Sequence, residues 1–574
     1  MKQENIDTLL VNVRIVDVFR MRTFPGWVGI LDGRFQYVEE GQLAEGIAAD
    51  RTIDCDDAFL VPGLVDTHMH IESSHMLPRM FAEAVLPQGT TAVLADPHEI
   101  ANLAGKSGVE WLINASDSLP LTIFFAAPSV VPIVSRELET PNAELSSQVI
   151  ERICAHPRVL SIGEIHDYNG VAAGEPRLMA LGDVSLRTGL KIEGHIPELM
   201  GCDLSRYVSL GVTSDHTLFS PDQLLEELSK GLYVMLQRKA LTEEIISVIA
   251  ELPDRSRILF VTDDVSPSEL LDGHLLSIVS LGITLGLSPI EALASATIRA
   301  ATYLGLHRHG AIAPGRRADC WTTRSIDTPT PMSVFVKGAL VARDGKVVED
   351  TFSGAVVEPI KLTAPPVPGL LNEEDMRLVP EVAGEARIST RAVELLNRKN
   401  SLTGLTAAQV TVRDGHPILE AGDDLCIIGV FSRTDPKSRS IAMLKGFGLT
   451  QGGVASSVAH DTHNLIVVGR DAQSMATAAR EVHRLGGGIA FATGARIESA
   501  LPLPIAGLMS DAGLQAIVCD AQAVEASLKM HGVCHREPLL VLTLLALSVS
   551  PHYKVTDRGI VDVRERRIVP PLTH

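Results

Sequence analysis

Residues 61–70 read VPGLVDTHMH. An apolar run ends there in two histidines two positions apart. In an extended strand such residues point to the same side, so His68 and His70 face one way at the strand's C-terminal end. The run is the first of eight. It is followed by TTAVLADPH (90–98), LTIFFAAPS (121–129), VLSIGEI (159–165), LKIEGHIP (190–197), VTSDHT (212–217), LYVMLQ (232–237) and ILFVTDD (258–264). Helix-like stretches separate most of them, as in SPDQLLEELSKG (220–231) and SPIEALASATIRAATYLG (288–305). Their Ser-Pro openings put a capping hydroxyl before a proline in the first turn. Eight β-α alternations over about 250 residues predict a (β/α)8 barrel across 61–310. A doubly wound sheet would carry a Gly-rich phosphate loop after its first strand, and none follows His70.

On either side of this stretch the rhythm changes. Residues 1–60 alternate in short runs (LLVNVRIVDV, WVGILDG, RFQYVEE), and a similar pattern returns at 319–350 (SVFVKGALVARDGKVVE). Both predict antiparallel strands. Together 1–60 and 311–355 should form one composite, β-sandwich-like domain flanking the barrel. Residues 356–385 are Pro-rich and aperiodic, a linker. Residues 386–574 again alternate strands and helices and predict a C-terminal α/β or α+β domain. The class is therefore α/β, with a small β domain and a third domain.

The charge balance, 50 Lys and Arg against 70 Asp and Glu, is −20 over 574 residues. Such a field repels phosphate backbones and anionic lipid, which argues against nucleic-acid and membrane partners. The first residues carry no basic-then-apolar leader, and the apolar stretch near 539–549 is too short to cross a bilayer. Seven dispersed cysteines without C-x-x-C read as reduced thiols. The expected setting is cytoplasmic.

The decisive pattern is polar. Buried runs end in His68 and His70, in Glu164, in His195, in His216 and in Asp263. On a barrel these ends share one rim, where barrel enzymes place their sites. Four imidazoles and two carboxylates buried together without a cation would be costly. Two divalent cations per chain remove that cost. The mixed N/O set suits Zn, Mn or Fe(II).

Taken together, VPGLVDTHMHIESSHMLP, ADPHEIANLAG, GHIPELMG, SDHT and VTDD resemble the bacterial adenine deaminase family of the amidohydrolase superfamily. GAIAPGRRAD, KGFGLTQGGVASSVAHDTHN, LPLPIAGLMSD and TDRGIVDV extend the resemblance over nearly the whole chain. It implies a metal-dependent barrel, a flanking β domain and an additional C-terminal domain. It also implies hydrolysis of adenine to hypoxanthine and ammonia, with a purine as the partner molecule, in an enzyme that is commonly a homo-oligomer. By the same resemblance His68 and His70 match ligands on strand one, and Glu164 the carboxylate bridging two metals. His195 and His216 match the ligands of the second metal, and Asp263 a ligand that also shuttles protons. Asp264 is placed to accept from a purine N–H. Protonation of the ring at N1 falls to Glu72, Glu99 or His98, with the His98–Glu99 pair preferred.

Two segments depart from the family's pattern. His166-Asp167-Tyr168 stands where a Met-Asn-aromatic stretch is usual, and Gln237-Arg238-Lys239 where Arg-Glu-Gly is usual. Both lie on βα loops, so His166, Gln237 and Arg238 are candidate substrate contacts. An N6-substituted adenine or another amino-purine is the alternative substrate. A cyclic amide or ureide hydrolase on the same scaffold, and a non-catalytic purine-binding paralogue, are the other readings. Relatives that open cyclic amides usually bridge their metals with a lysine where Glu164 stands, and a paralogue would have lost ligands. The segment His460-Asp461-Thr462-His463-Asn464 is expected to pack over the barrel mouth. Two histidines three apart would share a face if it were helical. The Gly-rich stretches 446–448, 452–453 and 486–488 fit no phosphate-loop pattern.

Overall fold

The computed structural model describes residues 4–197, 199–218, 220–353, 362–368, 371–397 and 402–572. Each of the eight predicted runs contains a strand: Leu64–His70, Thr90–Ala95, Thr122–Ala127, Val159–Ile165, Lys191–Gly194, Ser214–Asp215, Tyr233–Leu236, and Ile258–Phe260 with Asp263–Asp264. The first five pair in parallel in sequence order, and so do the sixth to eighth. A parallel bridge joins Ile192 to Val212. Asp263–Asp264 pair in parallel with Met69–His70. The sheet is therefore curled, and strands one and eight present their last residues side by side. Leu64–His70 and Thr90–Ala95 are buried at every position, as expected of parallel strands covered on both faces.

Helices between the strands begin as their sequences predict. Ser220 accepts from the Gln223 N–H ahead of Pro221, Ser288 from the Glu291 N–H, and Ser266 forms a full capping box with Glu269. Each cap satisfies amides that the first turn leaves without a partner.

The two flanking segments differ from expectation in one pairing. Their strands form one continuous eight-stranded hydrogen-bonded sheet. Cys320–Thr323 pairs antiparallel with Ile47–Pro62, which joins the two ends of the middle segment. Glu4–Asp17 and Ile47–Pro62 run parallel, although antiparallel order was expected throughout. The alternation of side chains is the same for both senses, so sequence cannot separate them.

Part of the expected linker, 356–361 and 369–370, lies outside the described residues, as do 354–355 at the end of the expected β domain. Val367 and Met376 pack against Ile427, Ala455 and Val467 in the core of the next unit. That unit is a nine-stranded mixed sheet, with the helix Ala472–Arg484 laid on it through Met475, Ala476, Ala479 and Val482. It presses on the C-terminal ends of the parallel strands. Asn142 Nδ2 donates to the Thr462 carbonyl at 2.6 Å, the Ser510 N–H to the His75 carbonyl at 2.9 Å, and Arg566 Nη2 to Glu175 Oε2 at 2.5 Å. No helix of the described residues is long and apolar enough to cross a membrane.

Candidate metal centre

His68, His70, Glu164, His216 and Asp263 are all buried at strand ends, and His195 is the most accessible of the set. Glu164 divides them into two groups. Its Oε1 lies 3.4 Å from His68 Nε2 and 3.2 Å from His70 Nε2. Those same nitrogens lie 3.6 and 3.3 Å from Asp263 Oδ1. Its Oε2 lies 2.7 Å from His195 Nδ1 and 3.1 Å from His216 Nε2. A cation about 2.0–2.2 Å from each ligand atom would leave the ligands roughly 3 Å apart. Both groups have that spacing and share one carboxylate.

The imidazoles are also turned correctly. His68 Nδ1 is 2.8 Å from Glu193 Oε2, and Ser161 Oγ donates to Glu193 Oε1 at 2.6 Å. His70 Nδ1 donates to the Asp96 carbonyl at 2.9 Å. Held through Nδ1, both rings direct Nε2 inwards, the usual device for orienting a metal-binding histidine. His68 Nε2 and His216 Nε2 are buried and make no hydrogen bond among the described residues. Donor atoms that crowd together without bonding one another fit a cation between them.

The electrostatics agree. Burial opposes charge on His68, but Glu164, Asp263 and Glu193 outweigh it and hold the ring well above its ordinary range. Burial opposes charge on Glu164 too, and the surrounding His166, His216 and His68 keep it a carboxylate, well below the usual range. Asp263 is likewise held low against burial by His216, His68 and His70. His195, beside the His166 imidazole, is pushed down to about 4 by desolvation and that neighbour despite Glu164. Asp263 also sits at φ 58°, in the left-handed region that strand residues rarely occupy.

The remaining candidates separate. Gln237 does not point at open space: its Nε2 donates to Asp263 Oδ2 at 2.6 Å and to the His216 carbonyl at 2.9 Å. Arg238 is solvent-exposed and reaches Ser277 Oγ at 3.4 Å, away from the centre. Gln237 is thus tied to Asp263 beside the centre, and Arg238 to the helix Leu275–Thr284. His166 lies inside the centre, with Nε2 3.0 Å from Glu164 Oε2 and Nδ1 3.7 Å from Asp461 Oδ2. His98 stands 4.4 Å from the His70 ring, and its Nε2 is 3.6 Å from Glu99 Oε1. Glu72 and Asp264 line a cavity of about 130 Å³, whose wall also includes Glu99, His460, Leu508 and Leu539. Ser73 Oγ donates to Asp264 Oδ1 at 2.5 Å. Burial, with Glu99 nearby, raises Glu72 to about 7.

The segment 457–464 is a loop between the strands Gly453–Ser456 and Leu465–Gly469, not a helix. His463 turns it with φ 58°. It places His460 Nδ1 2.7 Å from Glu99 Oε1, and His463 Nε2 against Glu99 Oε2. Sequence reasoning missed this junction, because more than 350 residues separate Glu99 from its partners. It also missed Glu193, although Glu193 shares strand parity with His195.

Comparison with known proteins gives two family matches. Residues 59–348 match the amidohydrolase family and residues 400–567 the adenine deaminase C-terminal domain. An adenine deaminase of Desulfatibacillum aliphaticivorans is 34% identical over 567 residues, covering 97% of this chain and 95% of that protein. One from Syntrophobacter fumaroxidans is 35% identical over 563 residues, covering 96% and 95%. Among solved structures, a β-aspartyl dipeptidase from Fervidobacterium islandicum AW-1 covers 59% of this chain and 98% of its own, at 16% identity and a TM-score of 0.44.

Proposed function

The chain belongs to the adenine deaminase family of amidohydrolases, and on that premise we infer that it hydrolyses adenine to hypoxanthine and ammonia. The observation that carries the reading is the division of donors around Glu164, with one oxygen for each group. We read the curled parallel sheet as a closed (β/α)8 barrel over 61–310. Its companions are a β domain from 1–60 with 311–355 and a C-terminal domain from 386 onwards, the two latter joined through 356–385.

His68, His70 and Asp263 would hold one divalent ion, His195 and His216 a second, and Glu164 both. Zn, Mn and Fe(II) all suit three or more N/O donors. Ions bound there lower the pKa of water enough to make hydroxide available at neutral pH for attack at C6. Asp263 takes a proton from the nucleophile and returns it to the exocyclic nitrogen, so that ammonia leaves rather than an amide anion. Gln237 fixes Asp263 Oδ2 and leaves Oδ1 facing the centre. The N1 proton arrives from the wall built by His98 and Glu99. Asp264 and Glu72, both on the cavity lining, meet the polar edge of the purine.

The apolar part of the lining at Leu508 and Leu539 supports a second reading, a purine substituted at N6. Ammonia release from adenine, and amine release from N6-methyladenine, by the metal-loaded protein tests both. Turnover of adenine is the expected result. Turnover of the methylated base alone establishes the second reading, and opening of a lactam ring with neither purine changed overturns both.

A further inference from the structure

Beside the binuclear centre lies a second group of donors, of which the reading above uses only His98 and Glu99, and those only to protonate N1. We propose that this protein binds a third divalent cation between the barrel and the C-terminal unit, ligated by Glu99, Asp461 and His98, with His460 against the same Glu99 oxygen. The proposal rests on the binuclear reading only for its count of ions.

Glu99 Oε1 is 2.7 Å from His460 Nδ1 and 3.6 Å from His98 Nε2. Asp461 Oδ1 is 3.3 Å from that His460 nitrogen and 3.9 Å from that His98 nitrogen. His98, Glu99 and Asp461 offer ligand atoms that all lie within 4.8 Å of one another. These nitrogen–oxygen spacings match those around Glu164 and bracket the separation of about 3 Å that a shared cation imposes. All four residues are at least nine-tenths buried.

A plain ion-pair cluster accounts for the contacts less well. Both oxygens of Glu99 are buried and lack a well-directed hydrogen bond, as do Asp461 Oδ2 and His98 Nδ1. Two neighbouring carboxylates that are out of water need neutralising charge. One divalent ion bound by neutral imidazoles supplies it and leaves the group formally neutral; without it the charge must sit on His98 and His460.

His463 supports the site without ligating it. Its Nδ1 accepts from the Ala459 N–H at 3.2 Å, so the neutral ring carries its proton on Nε2, beside Glu99 Oε2. A nitrogen bearing a proton cannot bind a metal, but it can donate to a ligating carboxylate and orient it. His463 therefore leaves Glu99 Oε1 to the cation. The arrangement needs both units at once, because Glu99 and His98 come from the helix after strand two and the other residues from the 457–464 loop.

The test is metal content. Full-length protein is stripped of metal, titrated with Mn(II), freed of excess and measured by elemental mass spectrometry. Three ions per chain are expected, falling to two in His98→Ala and in the milder Asp461→Asn. His463→Phe should keep the third site but weaken it roughly 10- to 100-fold, the usual effect of losing an outer partner of a ligand. Two ions in the wild type, unchanged by His98→Ala and by Asp461→Asn, overturn this proposal and leave the binuclear reading intact. Fewer than two ions in the wild type overturn both.

Discussion

At the residue scale, the centre depends on groups that touch no substrate. Glu193 holds His68 through Nδ1 and is itself held by Ser161. Glu193→Ala frees the ring to rotate, so the affinity for the ion on the His68 side should fall about 10- to 100-fold. Mn(II) titration followed by metal analysis measures it, while the affinity on the His195 and His216 side changes little. In the proposed reaction Asp263 carries the proton between nucleophile and leaving group. Asp263→Asn keeps the shape and removes the base, and kcat should fall by about 10²- to 10⁴-fold. Ammonia release at saturating adenine reads this directly, and equal turnover would remove Asp263 from the chemistry.

At the element scale, two junctions matter. The loop after strand four is fixed from the far end of the chain. Asp167 caps the short helix Tyr168–Ala172 and accepts from Arg566, which also reaches Glu175. Arg566→Ala leaves Asp167 buried without its cation. The expected cost is about 2 kcal/mol, below the cost of a fully buried pair because Arg566 is about one-fifth exposed. The thermal midpoint of Arg566→Ala against wild type checks it. Arg566→Lys should rescue only part, having no fork for two carboxylates. The other junction is His309, packed edge-on against Phe124 of strand three with both ring nitrogens buried and unbonded. Burial lowers it to about 4, helped by Arg317 and Arg316 and opposed by Asp319. Its folded pKa lies below the ordinary 6.5, so the unfolded chain binds the proton more readily. Its contribution is complete above about pH 6.5 and drains away as the pH falls towards 4, at up to about 1.4 kcal/mol per pH unit. His309→Gln should therefore lose less thermal stability than wild type between pH 7 and 5. Parallel Tm profiles would show no difference if the ring were solvated.

At the scale of the whole molecule, the ions link folding to chemistry. The buried donors of the Glu164 centre come from five strands that span residues 64 to 264. Chelation leaves those charges facing one another, so removal of the ions should lower Tm as well as abolish turnover, and Mn(II) should restore both. A ligand present at 100 times its Kd adds about 2.7 kcal/mol. Calorimetry with and without chelator reads the difference.

The sequence by itself determined the eight parallel strands, the helix caps and the six donors at the strand ends. Each is written locally, in runs of buried residues, Ser-Pro openings and parity along a strand. The pairing sense of Glu4–Asp17 with Ile47–Pro62, the turning of Gln237 towards Asp263, and the contact of Glu99 with His460 and His463 were decided only by the tertiary structure. Alternation is identical in parallel and antiparallel strands, and a side chain's partner across hundreds of residues leaves no mark in its neighbours. Local patterns fix which groups reach the rim of the sheet, and the packing of one unit on another fixes which of them meet.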